Sequence, residues 1–390
     1  MSIFVLTQNA VNRYQAKRLV KIVRACYSNM ESAKSETLCI PMQSAKAFVK
    51  NCITAAGASN NHANDMAELL VTADYRGHFS HGLNRLEMYV NDLKTQITST
   101  EGDPKVEKET AATAMVDGRN LLGPAVGTFC MDLAIKKAKE AGVGWVAARQ
   151  SNHYGIAGYY ALMASNQGLI GMSMTNTSPF VVPTRAKTAT LGTNPVAFAA
   201  PAKSGKSFVL DMATSTVAVG KIELQQRKNE AIPTGWGADP NGVETNDPSK
   251  VLQGGGLLPL GGSEQSGGYK GYGLAMMVEV MCGILAGAGF GPNIRKWGTT
   301  ERIADLGQCF IAVDPNAFCP GFENRMQDLM DLQRDLNPSD PKKPVLVAGD
   351  PERSHMTKCD SLGGIPYPQN IVKHMNEMGE KLGVESMKAI

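Results

Sequence analysis

Two histidines lie in polar, glycine-bearing surroundings that apolar packing does not account for: His81 in Gly77-His-Phe-Ser-His-Gly-Leu-Asn-Arg85 and His153 in Ser151-Asn-His-Tyr-Gly155. From Ser80 onward, Leu83, Leu86, Val90 and Leu93 recur at helical spacing, which puts His81, Arg85 and Tyr89 on the other side of one predicted helix. An imidazole, a guanidinium and a phenol then line up at i, i+4 and i+8. Arg85 can clamp a carboxylate through two parallel N–H bonds. His81 can hold or exchange a proton on a neighbouring oxygen, and Tyr89 can orient either. On spacing alone, a solvated helix face competes with this reading. His153 follows an expected strand and precedes the small-residue run Gly155 to Gly158, a helix start open to close approach by a ligand. Its alternative is a turn histidine satisfied by backbone.

Three further stretches close apolar strands with short hydrogen-bonding side chains: Thr175-Asn-Thr-Ser178, Gly192-Thr-Asn-Pro195 and Asp211-Met-Ala-Thr-Ser215. Converging, they make a polar crevice in which Asn194 is expected to reach substrate. Gly267-Gly-Tyr-Lys270-Gly-Tyr-Gly273 opens an apolar helix predicted over Tyr272 to Ala286, so free amides and a lysine can meet an anionic group there.

The elements that must position these groups follow from periodicity. Helical apolar spacing runs through Pro41 to Thr95, with Asn60 or Asn61 as a cap between two helices. Thr113 to Gly118 reads as a strand, Ala125 to Glu140 as a helix ended by Gly142, and Gly144 to Arg149 as a strand. Short apolar runs then follow closely: Leu169 to Asn176, Thr188 to Leu191, Pro195 to Ala200 and Ser207 to Met212. Such spacing favours hairpins over parallel crossovers, which need a dozen or more connecting residues. Val219 to Gln226 is expected to be helical and Ile232 to Gly262 loop-like. A strand at Cys309 to Val313, a helix at Phe322 to Leu336, a strand at Pro344 to Ala348 and a helix at Gln369 to Leu382 complete the order. The fold class expected is α/β, with a mainly antiparallel central sheet flanked by helices from both termini. Its divisions are an extension at 1–38, a helical unit at 39–110, a central sheet unit at 111–320 and a C-terminal helical segment at 321–390.

Composition narrows the partners. Apolar residues make up 43% of 390 and charged residues 19%, enough apolar surface for a packed core and too much for a disordered chain. A formal charge of +3 is too small a bias for a nucleic-acid groove. The longest apolar stretch, Leu274 to Leu285, is short of a membrane span and carries Glu279. Eight scattered cysteines, without CxxC or Cys/His pairs at ligand spacing, read as reduced thiols and imply no metal. Met1 to Met30 holds Arg13, Lys17, Arg18, Lys21 and Arg24 with no carboxylate before Glu31. That is transit-peptide composition, so the expected location is mitochondrial or cytoplasmic.

Three segments imitate nucleotide sites. Ala200-Pro-Ala-Lys-Ser-Gly-Lys-Ser207 fits a relaxed phosphate-loop pattern, but Phe208 to Leu210 continues as a strand where a helix is needed, so a hairpin turn is expected and an NTPase is disfavoured. Gly142-Val-Gly-Trp-Val-Ala147 mimics a dinucleotide fingerprint with helix and strand reversed, and reads as a helix C-cap. Gly287, Gly289 and Gly291 likewise follow a helix. Any dinucleotide here binds away from a Rossmann crossover.

In order, GHFSHGLNR, SNHYG, GTNP, DMATS, the GWGAD…DP loop, GGGLLPLGG and GGYKGYGL resemble the malate/L-lactate dehydrogenase family of NAD(P)-dependent oxidoreductases, distinct from the Rossmann-fold lactate and malate dehydrogenases. The resemblance runs from about Pro41 to the C-terminus. It implies a homodimer that binds NAD, or NADP, in extended form near its interface. It also implies hydride transfer with a small 2-hydroxy or 2-oxo acid, malate first, with lactate, sulfolactate or a cyclic imino acid such as piperideine-2-carboxylate as the alternative. It places His81, Arg85 and Tyr89 at the substrate. The acid/base is His153 or, in some members, a Ser80–His81 relay with Asp211. Ser151, Tyr154, Gly155, Thr175, Asn176, Thr177, Asp211, Met212, Ala213, Lys221, Lys270 and Gly271 match regions that contact the cofactor. An imidazole near its unperturbed pKa of about 6.5 would serve both directions. A catalytically inactive dinucleotide-binding protein is the remaining alternative.

Overall fold

The structure, a computed structural model, describes residues 37–390; Met1 to Met30, with the targeting expectation attached to it, lies outside the described residues. Strand β1 (Thr37–Ile40) leads into helices α1 (Met42–Ala55), α2 (Asn60–Tyr75) and α3 (Leu86–Lys94). Ser59, rather than Asn60 or Asn61, caps α2 by accepting the His62 amide at 3.3 Å. Strands β2 (Lys105–Glu109) and β3 (Thr113–Asp117) precede α4 (Gly123–Ala141) and β4 (Val143–Ser151). Gly142, at φ +81°, ends α4 in the left-handed cap expected of it. Then come α5 (Ala157–Ser165), β5 (Ile170–Thr175), β6 (Val196–Ala200), β7 (Phe208–Met212) and α6 (Val219–Lys228). Ala200 to Ser207 is the β6–β7 hairpin connection, so no helix N-terminus stands behind Lys206 and the phosphate-loop reading falls.

The seven-stranded sheet runs β2-β3-β4-β11-β5-β6-β7, with β11 at Leu306–Val313. Every adjacent pair is antiparallel except β3 and β4, which α4 joins as a parallel crossover. The sheet is therefore mixed and mostly antiparallel. Apart from Gln308, strand β11 reads as apolar sequence because both of its faces are covered. Phe310 and Ala312 pack with α4 and α5, while Cys309 and Ile311 meet Val278 and Cys282 from the other side. Lys105–Glu109, within the helical unit by sequence, is the edge strand of this sheet.

Ile232 to Gly262 carries more structure than its composition suggests: β8 (Gly237–Ala238), β9 (Glu244–Thr245), α7 (Pro248–Leu252) and β10 (Gly256–Leu257) surround Val251, Leu257 and Ile232. Two-residue strands are too short to show a period. Helix α8 (Gly268–Glu279) opens at the Gly267-Gly268 turn and passes into a single π-turn at Val280–Ile284. Beyond β11 lie α9 (Phe322–Arg334), α10 (Asp350–Leu362), β12 (Ile365–Pro368) and α11 (Gln369–Lys381). No strand forms at Thr188 to Leu191 or at Pro344 to Ala348. The first contributes the Val181–Leu191 bridge, and Ala348 accepts one bond from the Val209 amide, 3.2 Å. Strands β1 and β12 pair, and Phe48, Met66, Leu86, Tyr367, Val372 and Met375 share one apolar cluster, so both ends of the described chain build the helical part that carries Arg85.

Candidate active site

Residues 79–94 are not one continuous helix. Phe79–His81 and Leu83–Arg85 form separate 3-10 turns, broken at Gly82, before α3 begins. The cause is Asp74 on the last turn of α2, which is 1% exposed. Its Oδ2 accepts the Leu83 amide at 2.8 Å and the Tyr367 hydroxyl at 2.8 Å. Gly82 is pressed so close that a Cβ would stand 1.8 Å from Asp74 Oδ1, which makes glycine obligatory here. Leu83, Leu86 and Leu93 are fully buried and hold the segment down, each contributing about 2 kcal/mol by transfer from water.

Asp74 also predicts a pH effect. Burial pushes its carboxyl up to about 7, against the downward pull of the two hydrogen bonds. The folded chain therefore holds this proton more tightly than the unfolded chain, and its contribution to stability falls as pH rises from about 4 to about 7. Asp74→Asn keeps an acceptor for Leu83 and Tyr367 and has no proton to lose. Its thermal midpoint is expected to fall less than that of the wild type across this window, as measured by calorimetry. Equal slopes would refute the assignment. Asp74→Ala orphans both donors and should cost on the order of 2 to 4 kcal/mol.

On the other side of the turns the candidate side chains meet. Tyr89, which is buried, lies 2.5 Å from His153 Nδ1 through its hydroxyl. His81 stacks on His153 with ring centroids 5.8 Å apart and planes at 17°, and its Nδ1 is 2.8 Å from Ser80 Oγ. Arg85 Nε donates to the Ser80 carbonyl at 2.7 Å, and its two terminal amino groups make no hydrogen bond to any described residue. His153 reaches this cluster because β4 ends at Ser151 and the chain turns at Gly155, φ +76°, where a Cβ would meet Leu69 at 2.4 Å.

Electrostatics keep the pair of imidazoles neutral. Burial, Arg85 and His78 push His81 down to about 4, and burial, His81 and Arg85 hold His153 well below its ordinary value. This corrects the expectation of a histidine near 6.5. The same burial raises Tyr89 well above the ordinary phenol range, so it stays a phenol.

Asp211 is not placed to complete a relay with His81. Its Oδ2 accepts the Gly158 amide at 2.8 Å, and the charges facing it are His78, Arg76 and Glu352. Burial raises its carboxyl, opposed by His78, by the Gly158 bond and by Arg76. His78 stands in the field of both Asp211 and His81.

Several strand-end side chains are consumed by the core. Asn194 is fully buried; its Nδ2 donates to Glu279 Oε2 at 2.7 Å and to the Ala275 carbonyl at 3.1 Å, and its Oδ1 accepts the Thr177 amide. It braces α8 against the strand ends, and the expectation that it reaches substrate is corrected on that ground. Asn176 does the same through Glu279 Oε1 at 3.2 Å and the Gly307 amide, and Thr175 bonds the Gly307 carbonyl. Ser151 and Tyr154 are buried too, the latter 3.0 Å from Ser173 Oγ. The side chains of Ser151, Tyr154, Thr175 and Asn176 thus have no open face toward a cofactor. Gly271 is a packing glycine, 2.2 Å from the Leu260 carbonyl at its Cβ position. Sequence reasoning missed Glu279, which ties Asn176, Asn194 and the Gly291 amide together. A single carboxylate inside an apolar helix was the available signal.

Other positions do fit a dinucleotide. Thr177, Met212 and Ala213 are half-buried at the strand ends, and Lys221 and Lys270 are exposed. Lys221 Nζ lies 5.7 Å from the Trp236 ring. No side chain caps α8, but the Gly268 amide already donates to the Ser263 carbonyl at 2.8 Å and the Lys270 amide to the Gly267 carbonyl at 2.9 Å, so the exposed Lys270 ammonium is the group offered to a phosphate there.

The comparisons agree with this architecture. The model of the malate/L-lactate dehydrogenase family matches residues 40–376. The chain is 39% identical to a malate dehydrogenase of Pyrococcus abyssi over 90% of its length and 96% of that protein. It is 36% identical to the ureidoglycolate dehydrogenase (NAD(+)) of Escherichia coli K12 over 74% of its length and 80% of that protein. The structure of malate dehydrogenase from Pyrococcus horikoshii superposes with a TM-score of 0.84 at 36% identity, covering 91% of this chain and 99% of that one. Fold and match define a dehydrogenase of a class that acts with NAD(P), built on a mostly antiparallel sheet. The chain belongs to the malate/L-lactate dehydrogenase family.

Proposed function

We propose that this protein interconverts a small 2-hydroxy acid and its 2-oxo acid with NAD(P), malate being the first substrate to test and NAD the first cofactor. The observation that carries the reading is the meeting of Arg85, His81, Tyr89 and His153 in one cluster of a chain of this family. When bound, the nicotinamide supplies a two-electron hydride acceptor at C4. Arg85 uses its unpaired terminal amino groups to hold the C1 carboxylate. As the base, His153 must carry its proton on Nδ1 and donate it to the Tyr89 hydroxyl, in place of the long 3.4 Å bond it accepts from the Gly155 amide; Nε2 then presents a lone pair to the C2 hydroxyl and takes its proton as hydride leaves C2. In reduction the same nitrogen returns the proton to the nascent oxygen. His81, held by Ser80 and stacked on His153, binds the oxygen or a second polar group. Lys270, Lys221, Thr177, Met212 and Ala213 would hold the dinucleotide. A panel of 2-oxo acids assayed with NADH and NADPH tests the reading: oxaloacetate with NADH is expected to give the fastest turnover, and a panel without turnover would refute it.

The proposed homodimer rests on the exposed apolar residues of α8 and its π-turn. Leu274, Met276, Met277, Val280, Ile284 and Leu285 are 39–54% exposed along one helical stretch, apolar surface of the kind an interface covers. Sedimentation at assay concentration is expected to give a dimer. Met277→Glu with Ile284→Glu should yield monomers of lowered activity; a fully active monomer would contradict it.

A further inference from the structure

Trp297 is the one described aromatic side chain that touches two of the proposed site groups from outside the motifs that carry them. Its ring centroid stands 4.8 Å from that of His153 at 65°, and Arg85 Cζ lies 5.5 Å from the indole centroid. Trp297 is 47% exposed, so it stands at the surface beside these groups rather than in the core.

Its position is built by a pinned loop. Arg302 Nη2 closes the base by donating to the Ile294 carbonyl at 3.1 Å and the Pro292 carbonyl at 3.3 Å, and Ile294 is buried. Arg295 bonds Asp92 on α3 at 2.8 Å, an ion pair in which each partner is only 11% exposed, and the Arg295 carbonyl accepts the Ser178 hydroxyl. Gly298, φ +76°, lets the chain turn back directly after the indole. The loop is therefore fixed to the helix that follows Arg85, through Asp92, and to the strand end at Ser178, so its place beside Arg85 is set from two sides.

We propose that Trp297 is the specificity-determining residue of this site, its indole limiting the carbon substituent borne on C2 of the 2-hydroxy acid. This rests on the reading of the site given above. With the C1 carboxylate on Arg85 and the C2 oxygen on His153, the remaining carbon substituent at C2 points past both groups, and the indole that contacts both is what it meets. A flat apolar wall there admits a methyl or a short flat carboxymethyl group and obstructs a branched one. Stacking on Arg85 also holds the guanidinium plane for the carboxylate.

The test uses the full-length protein with Trp297→Ala and Trp297→Phe. Trp297→Ala is expected to raise the ratio of kcat/KM for 2-hydroxy-4-methylpentanoate over lactate by about tenfold or more, with NADH affinity unchanged and Trp297→Phe in between. A ratio within about twofold of wild type in a folded Trp297→Ala protein would overturn the proposal. A second arm needs no turnover: oxalate should change the emission that distinguishes wild type from Trp297→Phe, because the anion engages Arg85 beneath the indole. No change in that emission would also overturn it. If wild type oxidises no 2-hydroxy acid with either cofactor, the functional reading fails, and the oxalate arm still decides whether Trp297 walls an anion site.

Discussion

His153→Ala is expected to lower kcat by about 10² to 10⁴, the range of a lost proton-transfer partner, while KM for the 2-oxo acid moves little. The structure sharpens the pH behaviour. Because burial, His81 and Arg85 hold the imidazole of His153 well below its ordinary value, the base is already neutral where an ordinary histidine would be half protonated. The acid limb of kcat/KM for oxidation should therefore lie below pH 6.5, and activity should persist to lower pH than an unperturbed histidine would allow. In the variant that limb should flatten. Rates from pH 4.5 to 9 in both proteins check it. Near-wild-type kcat in His153→Ala, together with abolished turnover in His81→Ala, would transfer the proton role to His81. Ser80 would then be its direct support at 2.8 Å, with Asp211 held by the Gly158 amide and His78 standing in the field of both.

Arg85→Lys should fail differently. Lysine keeps the positive charge but loses the planar fork, the Nε bond to the Ser80 carbonyl and the flat face against Trp297. The expected result is a raised KM for any 2-oxo acid and a loss on the order of 2 to 3 kcal/mol in transition-state stabilisation, with NADH affinity nearly unchanged. Steady-state kinetics with a fluorescence titration of NADH separates the two terms. A variant that loses NADH affinity and keeps its KM for the acid would place Arg85 at the cofactor instead.

Much of this was legible in the sequence because the motifs sit where backbone geometry is demanding. Gly142 ends α4 by a left-handed cap, and the hairpin at Ala200 to Ser207 is visible from apolar runs too close for a crossover. The site groups His81, Arg85, Tyr89 and His153 do converge, although the single helix invoked to align the first three is two 3-10 turns and a helix. What broke that helix is a carboxylate from α2, and a tertiary hydrogen bond leaves no periodic trace in the sequence. Helix α10 was missed because it buries only Cys359 and so shows no apolar stripe. Asn194 illustrates a different failure: a short polar residue closing a strand reads alike whether it faces a ligand or braces a buried glutamate. Trp297 sits among charged and glycine residues with no spacing relation to His153 or Arg85, so only the fold brings it to them.

The central claim is hydride transfer from C2 of a 2-hydroxy acid with proton transfer to this cluster. The most direct measurement incubates the purified protein with malate deuterated at C2 and oxidised NAD, and analyses the reduced cofactor by NMR. The account predicts deuterium on C4 of the nicotinamide from wild type, and the same label at a rate lowered by about 10² or more from His153→Ala. Reduced cofactor without label, or no reduction by malate or lactate with NAD or NADP, would contradict it.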